Sequence, residues 1–399
     1  MREGRRHARD TSRRRGFVRA HVDIRSGRRD SSPRMKIAFY APLKSPDHAV
    51  PSGDRQMARL LIDGLRLGGH DVGIASHLRS FSREASEEQL SSLRTEAERE
   101  VRRLRRLWRD EGSPDAWFCY HPYYKAPDLI GPRISGEFSI PYVTAESSYS
   151  YRRNVGARKP AQDEVAAGAR QAAVNICFTQ RDREGLEEAI PGVRYAMLAP
   201  FIDVAPFHEP RQTAAGVCRL LAVAMMRPGD KMDSYGMLAK ALMLLVDLPW
   251  KMSIVGDGPA RAEVQGVFAG LPAERLDWLG EKEPEAIAGI LARGDLYVWP
   301  GCGEAYGLSY LEAQAAGLPV VAQRTAGVPE VVRDEETGLL TKAGEIDLFA
   351  AAIRRLISDT ALRAEFGANA RRFVIEQRSL QAAARRLGEI FRDFVEKAA

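Results

Sequence analysis

Two glutamates eight residues apart, in a glycine-rich stretch, are the side chains of this sequence best suited to chemistry on a small ligand. Glu304 is predicted to lie in a loop after a short apolar strand, and Glu312 in the second turn of the helix that follows. Glycines let a backbone approach a ligand closely, and the first N–H groups of a helix can bind a phosphate. The glycines here are Gly301, Gly303 and Gly307. Both glutamates can therefore point at one bound molecule, and neither needs a metal to do so.

Two cations form a second candidate group. Arg227 and Lys231 belong to a loop, Arg-Pro-Gly-Asp-Lys, that follows a predicted strand. The alternative is that both are ordinary surface cations, that Glu304 only caps its loop and that Glu312 is a surface residue of its helix. The Gly-Asp-Gly sequence at 256–258 is equally a ligand loop or a simple turn. It lacks the third glycine of a dinucleotide fingerprint, which weakens a dehydrogenase interpretation.

The elements that must position these residues alternate between strands and helices. Short apolar runs of this kind are typical of buried parallel strands, and the helices between them have one apolar face. Strands are predicted at 36–41, 71–75, 116–120, 142–145, 175–179, 219–224, 251–255, 276–279, 296–299 and 319–322. Helices are predicted at 54–67, 86–108, 233–245, 284–292, 308–316, 347–357 and 361–394. In such sheets ligands bind beyond the carboxyl ends of the strands.

This alternation predicts an α/β fold with two Rossmann-like, doubly wound domains that face each other across a cleft. Residues 1–34 are predicted to be a disordered, arginine-rich extension, residues 35–210 the first domain and residues 211–378 the second. Prolines at 200, 206 and 210, followed by polar residues, mark the linker. The last helix, at about 379–396, is predicted to pack back on the first domain.

Composition and charge exclude several classes of protein. The 399 residues are 45% hydrophobic, and we find no apolar run long enough to span a membrane. The net charge is +6, but residues 1–34 hold twelve arginines and four acids, about +8, so the rest is slightly acidic. This distribution argues against a nucleic-acid-binding surface. We interpret the tail as a non-structural extension ahead of a start at Met35. The alternatives are a tail that binds RNA or an anionic surface, and a targeting peptide. The four cysteines are predicted to be reduced thiols.

Taken together, these motifs resemble the E-x₇-E motif and its surroundings in retaining glycosyltransferases of the family 4 type, which have the two-domain GT-B architecture. Further matches are spread over nearly all of residues 35–394, in the expected order. They are Ser-Gly-Asp-Arg-Gln at 52–56, Gly-His-Asp-Val at 69–72, Arg-Pro-Gly-Asp-Lys at 227–231, Val-Gly-Asp-Gly-Pro at 255–259, Ala-Gly-Val-Pro-Glu-Val-Val at 326–332 and Thr-Gly-Leu-Leu at 337–340.

The resemblance implies roles for the residues of the second domain. Arg227 and Lys231 would stabilise the leaving nucleoside diphosphate, and Glu304 would hold a sugar hydroxyl at the reacting centre. Glu312 would accept hydrogen bonds from the ribose. The remaining donor contacts would come from the backbone at Gly307, Leu308 and Ser309 for the distal phosphate, at Gly280 and Glu281 for the base, and at Gly53 for the phosphates and acceptor.

Two departures from the family pattern concern the acceptor side and the phosphate loop. Many relatives have a histidine after the strand that ends at residue 145, where this chain has Glu146. The nearest histidine is His121, which is equally an ordinary loop histidine or a functional one. Met232 stands where a glycine is usual, and the step from Arg227 to Lys231 is short for the family.

The resulting hypothesis is a metal-independent, retaining hexosyltransferase that uses a nucleotide diphosphate sugar and a hydroxyl acceptor and needs no other cofactor. The alternatives are a nucleotide-sugar epimerase or sugar phosphorylase of the same fold, or a catalytically silent nucleotide-sugar-binding subunit. A cytoplasmic location is expected. Weak contact with the inner face of a membrane through the Arg99–Arg109 face is an added expectation, against the alternative of a solvated helix face. No nucleic-acid partner is expected.

Overall fold

The computed structural model describes residues 34–50, 52–83, 86–149, 155–209 and 216–396. The predicted tail lies outside the described residues except for Arg34. Residues 210–215 of the predicted linker, Pro210 among them, lie outside them as well.

The first half of the described chain forms a parallel sheet of six strands. The strands are β1 Lys36–Tyr40, β2 Asp71–Ile74, β3 Ala116–Tyr120, β4 Tyr142–Ala145, β5 Val174–Cys177 and β6 Tyr195–Met197. Their order in the sheet is β2-β1-β3-β4-β5-β6. The strands β1, β3, β4 and β5 are almost wholly buried, which explains their continuous apolar sequences. The carboxyl ends of all six strands lie at one edge of this sheet.

Helices connect the strands of this first sheet. They are α1 Gly53–Leu67, α2 Glu87–Glu111, α3 Gly131–Phe138, α4 Lys159–Gln171 and α5 Gln180–Ala189. Side chains fix where three of them begin: Ser52, Ser86 and Thr179 each accept a hydrogen bond from a backbone N–H of the first turn. Residues Met57, Leu61 and Leu65 of α1 are fully buried, so its apolar face fixes the helix against the sheet.

The second half forms another parallel sheet of six strands within the described residues. The strands are β7 Cys218–Val223, β8 Trp250–Val255, β9 Leu276–Gly280, β10 Leu296–Val298, β11 Val320–Arg324 and β12 Gly338–Lys342. Their order is β12-β11-β10-β7-β8-β9. The helices are α6 Asp230–Met243, α7 Arg261–Val267, α8 Pro284–Leu291, α9 Leu308–Ala315, α10 Val328–Val331 and α11 Ile346–Ser358.

Two more helices end the described chain, α12 Thr360–Gln377 and α13 Leu380–Phe394. The predicted helical stretch 361–394 is interrupted because Ser379 caps a new helix by accepting a hydrogen bond from the N–H of Ala382. Helix α13 lies against the first half of the chain. The ring of Phe391 stacks on that of Phe118 in β3, with the centroids 6.3 Å apart. Arg371 of α12 instead donates to the carbonyl oxygen of Ala315 at the end of α9.

The predicted fold class, two doubly wound α/β domains, is confirmed for the described residues. Strands β3 and β4 have the predicted bounds, and the other predicted strands are displaced by one or two residues at one or both ends. Strand β6, with only three residues, and the helices α3, α4, α5, α7 and α10 were not predicted. Helix α2 runs three residues beyond its predicted end, to Glu111, before Gly112 ends it.

Candidate active site

The loop between β10 and α9 carries Glu304, and its shape depends on three glycines with positive φ. These are Gly301, Gly303 and Gly307, with φ of 74°, 65° and 78°. A Cβ on Gly301 would lie 2.2 Å from the hydroxyl of Tyr310, and one on Gly303 would lie 2.3 Å from the carboxyl group of Asp230. The glycines are thus needed for the packing of the loop itself, whatever ligand it receives.

Glu304 forms an ion pair with Lys231. Lys231 lies in the first turn of α6, and its Nζ lies 5.6 Å from the ring centroid of Trp299. The two side chains keep exposed fractions of 29% for Lys231 and 19% for Glu304. The ion pair therefore stands at the open carboxyl end of the second sheet, where a ligand can reach both groups.

Arg227 is exposed and lies before α6. Its charge acts on the amine of Lys44 in the first half of the chain. Burial lowers the pKa of Lys44, Asp54 raises it, and Arg227 lowers it further. Lys44, in the loop after β1, was not predicted as a site residue. Together with Lys231 these cations line the region between the carboxyl ends of the two sheets, and a polyanion placed there would lower their mutual repulsion.

Helix α9 begins directly after the glutamate loop. Gly307 is its N-cap and offers no side-chain bond to the first turn. The N–H groups of Leu308 and Ser309 belong to the first turn, which has no intrahelical acceptors. The helix start therefore combines free donors with the positive end of the helix dipole, and its chemistry suits an anion.

Glu312, one turn further along α9, contacts the first half of the chain. The Nε2 of Gln56 in α1 donates to its carboxylate Oε1 over 3.1 Å. Burial raises the pKa of Glu312, while the bond from Gln56 lowers it. A ligand hydroxyl that binds this carboxylate must therefore share it with Gln56 or displace it.

The remaining residues predicted to contact the donor are Gly53, Gly280 and Glu281. Gly53 is exposed at the start of α1, and a Cβ there would meet no protein atom within 4 Å. No contact within the described residues therefore requires a glycine at this position. Gly280 has φ of 68°, and its carbonyl accepts from the N–H of Gly256, while Glu281 is exposed.

The Gly-Asp-Gly sequence at 256–258 packs against the backbone of the segment that precedes Arg227. A Cβ on Gly256 would lie 1.9 Å from the carbonyl oxygen of Ala224, and one on Gly258 would lie 2.2 Å from that of Met226. Backbone packing between the two loops accounts for both glycines, which supports the turn interpretation.

On the acceptor side, His121 and Glu146 directly follow β3 and β4. Both have left-handed backbones, with φ of 59° and 55°. The Nδ1 of His121 lies 3.0 Å from Oδ1 of Asp54, at the start of α1. The Oε2 of Glu146 accepts from the hydroxyl of Tyr120 over 2.9 Å and from that of Tyr306 over 3.4 Å. Tyr306 belongs to the glutamate loop, so this network joins the two halves.

Burial and charge shift both groups of this pair. Burial alone would lower the pKa of His121, but Glu146 and the bond to Asp54 raise it to about 8. Burial raises the pKa of Glu146 to about 7, although His121 lowers it. Groups that titrate near neutrality in a cleft are suited to proton handling, and the two protonation equilibria are coupled.

The structure thus brings the predicted residues to the facing edges of the two sheets. Sequence reasoning missed Lys44, Asp54, Gln56 and Tyr306. Asp54 and Gln56 lie within the 52–56 motif, and Tyr306 lies between Glu304 and Gly307, so the motifs contained them. The hydrogen-bond partners of Asp54, Gln56 and Tyr306 are 67 or more residues away in the sequence, and only the folded chain reveals these pairings.

The described ranges contain no cluster of three or more His, Cys, Asp or Glu side chains arranged to hold a metal ion. Among the helices described, none is both long and apolar enough to cross a bilayer. None of the four cysteines, all of which are described, is in a disulfide, and Cys119, Cys177 and Cys218 are buried.

Part of the second half of the chain is similar to a known family, and the chain is similar to several curated proteins. Residues 218–359 match the model of a family described as glycosyl transferases group 1. The chain is 32% identical over 124 residues to sulfoquinovosyl transferase SQD2 of Arabidopsis thaliana, which covers 30% of this chain and 24% of that protein. The chain spans about half or less of the length of the curated relatives it matches.

Solved structures share the fold across almost the whole chain. Sucrose-phosphate synthase from Thermosynechococcus elongatus superimposes with a TM-score of 0.70 at 18% identity, over 91% of this chain and all of that one. HepE of Anabaena in complex with UDP-glucose gives a TM-score of 0.64 at 17% identity, over 90% of this chain and all of that one. At such identities the likeness shows the fold alone.

Proposed function

Because residues 218–359 are a group 1 glycosyl transferase domain and the chain has the GT-B fold, we propose that it is a retaining glycosyltransferase. It moves a hexose from a nucleotide diphosphate sugar to a hydroxyl group of an acceptor. The observation that carries this proposal is the pairing of Lys231 with Glu304 next to the start of α9. That arrangement offers a cation, an anion and free backbone donors to one ligand.

The leaving diphosphate gains negative charge as the glycosidic bond breaks. Lys231 and Arg227 are the cations available to it, and preorganised cations stabilise such charge most in the transition state. The backbone N–H groups of Leu308 and Ser309 hold the distal phosphate at the helix start. The ion pair with Glu304 holds the Lys231 side chain in position before the donor arrives.

The sugar and ribose are held by the two glutamates. Glu304 binds a sugar hydroxyl beside the anomeric carbon, where positive charge develops. Glu312 accepts from the ribose hydroxyls. Gly53 leaves room for the phosphates and the acceptor, and the backbone at Gly280 and Glu281 borders the base.

In this proposal the acceptor attacks from the face that the diphosphate leaves. The acceptor oxygen forms the new bond to the anomeric carbon as the bond from that carbon to the diphosphate oxygen breaks. The acceptor proton passes to an oxygen of the departing diphosphate, so that no nucleophilic side chain is needed. His121 and Glu146 border the acceptor and set the charge around its hydroxyl. No metal or other cofactor takes part.

Steady-state kinetics of Glu304→Gln and Glu312→Gln test these roles, with Glu365→Gln on the exposed face of α12 as the matched control. Isosteric amides keep the packing and remove the charge. We expect Glu304→Gln to lower kcat by on the order of 10²-fold, because it removes a charge beside a cationic transition state. Glu312→Gln should mainly raise the donor KM, by a few fold, since its amide oxygen still accepts.

HepE was solved with UDP-glucose, so that sugar nucleotide is the first donor to assay, followed by other bases and sugars in a thermal-shift screen. A donor at about 100 times its Kd stabilises a fold by about 2.7 kcal/mol. Unchanged kinetics in both variants would contradict the proposal. Donor binding without transfer would favour a silent binding subunit, and phosphate-dependent cleavage or epimerised donor would favour the phosphorylase or epimerase alternatives.

A cytoplasmic location and weak peripheral membrane contact belong to the same proposal. The supporting feature is the arginine-rich face of α2. Four of its arginines already pair with carboxylates: Arg102 with Glu98, Arg103 with Glu100, and both Arg105 and Arg109 with Glu137. The charge left for anionic lipid is therefore smaller than the sequence suggests, and any membrane contact is weak.

A further inference from the structure

A second pocket lies in the first half of the chain, at the edge of the sheet that carries His121. It is partly open to solvent. Its walls come from segments that follow β2, β3 and β4 and from the start of α2. We call it the basic pocket, because three cations line it: Arg83, Lys125 and Arg158.

No described residue that lines the basic pocket is acidic, so the pocket walls that the structure describes carry a net positive charge. Three of the lining residues are serines, Ser80, Ser82 and Ser86. Over the described part of the chain, no carboxylate forms an ion pair with any of the three cations. By contrast, Lys159, next to Arg158, pairs with Asp163, and Arg94 pairs with Glu164. The neighbouring surface neutralises its cations, and the pocket does not.

Two of these cations are held against one aromatic ring. The Nζ of Lys125 lies 5.8 Å from the ring centroid of Tyr124, and Cζ of Arg158 lies 5.7 Å from the same centroid. Each contact is within the range of a cation–π interaction. Like charges so placed repel each other, and an anion between them removes that repulsion. The start of the long helix α2, capped by Ser86, adds the positive end of its dipole.

A row of aromatic rings connects the basic pocket with the candidate active site. Tyr124 contacts Tyr123 edge to face at 5.5 Å, and Tyr123 stacks on His121 at 5.0 Å. The pocket and His121 therefore lie two ring contacts apart at the same sheet edge. A small molecule with an anionic group in the pocket could extend along these rings and present a hydroxyl near His121.

We propose that the basic pocket binds the phosphate group of the acceptor, so that the acceptor is a phosphorylated hydroxyl compound. Only the identification of the ligand as the acceptor rests on the proposed function. The anion-binding site itself is argued from the geometry of the pocket. The phosphate could belong to a soluble metabolite or to a lipid headgroup. Arginine and lysine suit either, because both present charge-assisted donors to phosphate oxygens.

The test is titration of the full chain with inorganic phosphate, followed by calorimetry or ³¹P NMR. The variants are Lys125→Gln and Arg158→Gln, with Arg170→Gln on the exposed face of α4 as the matched control. Lys231→Gln identifies the part of the phosphate binding that takes place at the donor site, because that part should weaken in this variant. We expect each pocket variant to weaken one class of phosphate binding about 10-fold, as loss of a charge-assisted bond does. The control should bind as the wild type does.

The proposal is overturned if Lys125→Gln and Arg158→Gln bind phosphate as tightly as the wild type, or if all binding disappears in Lys231→Gln. Thermal unfolding of each variant checks that its fold is intact. UDP binding by thermal shift separates the two proposals. Retained UDP binding in the pocket variants with weakened phosphate binding is the expected result. Failure of the wild type to bind any sugar nucleotide would count against the proposed function alone.

Two further binding experiments, which we call the first and second arm, identify the source of the phosphate. Glycerol 3-phosphate is titrated in solution, and vesicles of phosphatidylcholine with or without phosphatidic acid are co-sedimented with the protein. Dependence on Lys125 and Arg158 in the first arm assigns a soluble acceptor, and in the second arm a lipid headgroup. Binding that is independent of both residues in both arms would contradict the proposal.

Discussion

Glu146→Gln should lower the pKa of His121, because Glu146 is the main group that raises it. Burial is the largest single effect and lowers the histidine pKa, but the Glu146 carboxylate and Asp54 together outweigh it and raise the pKa to about 8. The substitution keeps an acceptor for the hydroxyls of Tyr120 and Tyr306. It therefore removes the charge while the hydrogen bonds of the network can persist.

The magnitude follows from the shift itself. From an ordinary value near 6.5, a pKa of about 8 corresponds to about 2 kcal/mol of preference for the charged imidazole. Without Glu146, burial opposes the remaining bond to Asp54, and we expect the pKa to fall by about 1 unit or more. Because the wild-type pKa is raised in the fold, this stabilisation is present below pH 6.5 and is lost as the pH rises through 8.

Glu146 also makes the unfolding free energy fall as the pH rises. Burial raises its pKa to about 7, so the fold favours the protonated carboxyl, and that contribution is lost as the pH rises from about 4.5 to 7. The wild type should therefore lose unfolding free energy between pH 4.5 and 8 from this pair. The glutamine variant should show a flatter profile over the same window.

The assay is an NMR titration of protein labelled at histidine Cε1, with His121 assigned by its own substitution among the seven histidines. Chemical denaturation at several pH values gives the stability profile. Asp63→Asn, on the exposed face of α1, is the control for loss of a distant charge. An unchanged His121 pKa in Glu146→Gln, or an equal change in the control, would refute the coupling.

Three further outcomes are expected. Lys231→Ala and Arg227→Ala should each lower turnover by on the order of 10²-fold, whereas Lys240→Ala on the exposed side of α6 should not; normal turnover in both would reject their role on the diphosphate. Activity should survive EDTA, since these side chains supply the charge for the leaving group; complete loss, restored by magnesium or manganese, would show otherwise. A protein starting at Met35 should bind anionic vesicles weakly at low salt through the Arg99–Arg109 face, and no co-sedimentation would favour a soluble acceptor.

The fold was predictable because its strands are short and buried. Runs such as that of β3, buried at all five positions, stand out from any surrounding helix. Strand β6 was missed because it has only three residues, and just the central one is buried. The break between α12 and α13 has a local cause in Ser379, but helical periodicity continues on both sides and conceals it.

The candidate site was predictable only as far as the motifs extend. The motif stretches contain Glu304, Lys231 and Glu312, and the structure brings these residues to one edge. The contacts between the halves had no signal in the sequence, because each joins residues far apart in the chain. Lys44 is one example, since only its position opposite Arg227 gives it significance.

The contacts between the two halves bear on how a donor would bind. Gln56 bonds to Glu312, and the backbone N–H of Gln180, at the start of α5, bonds to the carboxylate of Glu330. A ribose hydroxyl that binds Glu312 replaces the hydrogen bond from Gln56. The net binding free energy is therefore smaller than that of a hydrogen bond to an unoccupied acceptor. The phosphates would compete with Glu304 for Lys231. Arg227 forms no ion pair within the described residues, and the first N–H groups of α9 have no acceptor within the helix, so a diphosphate there displaces no protein group. In the proposed function the diphosphate therefore supplies most of the donor affinity, and Glu312 mainly fixes the position of the ribose.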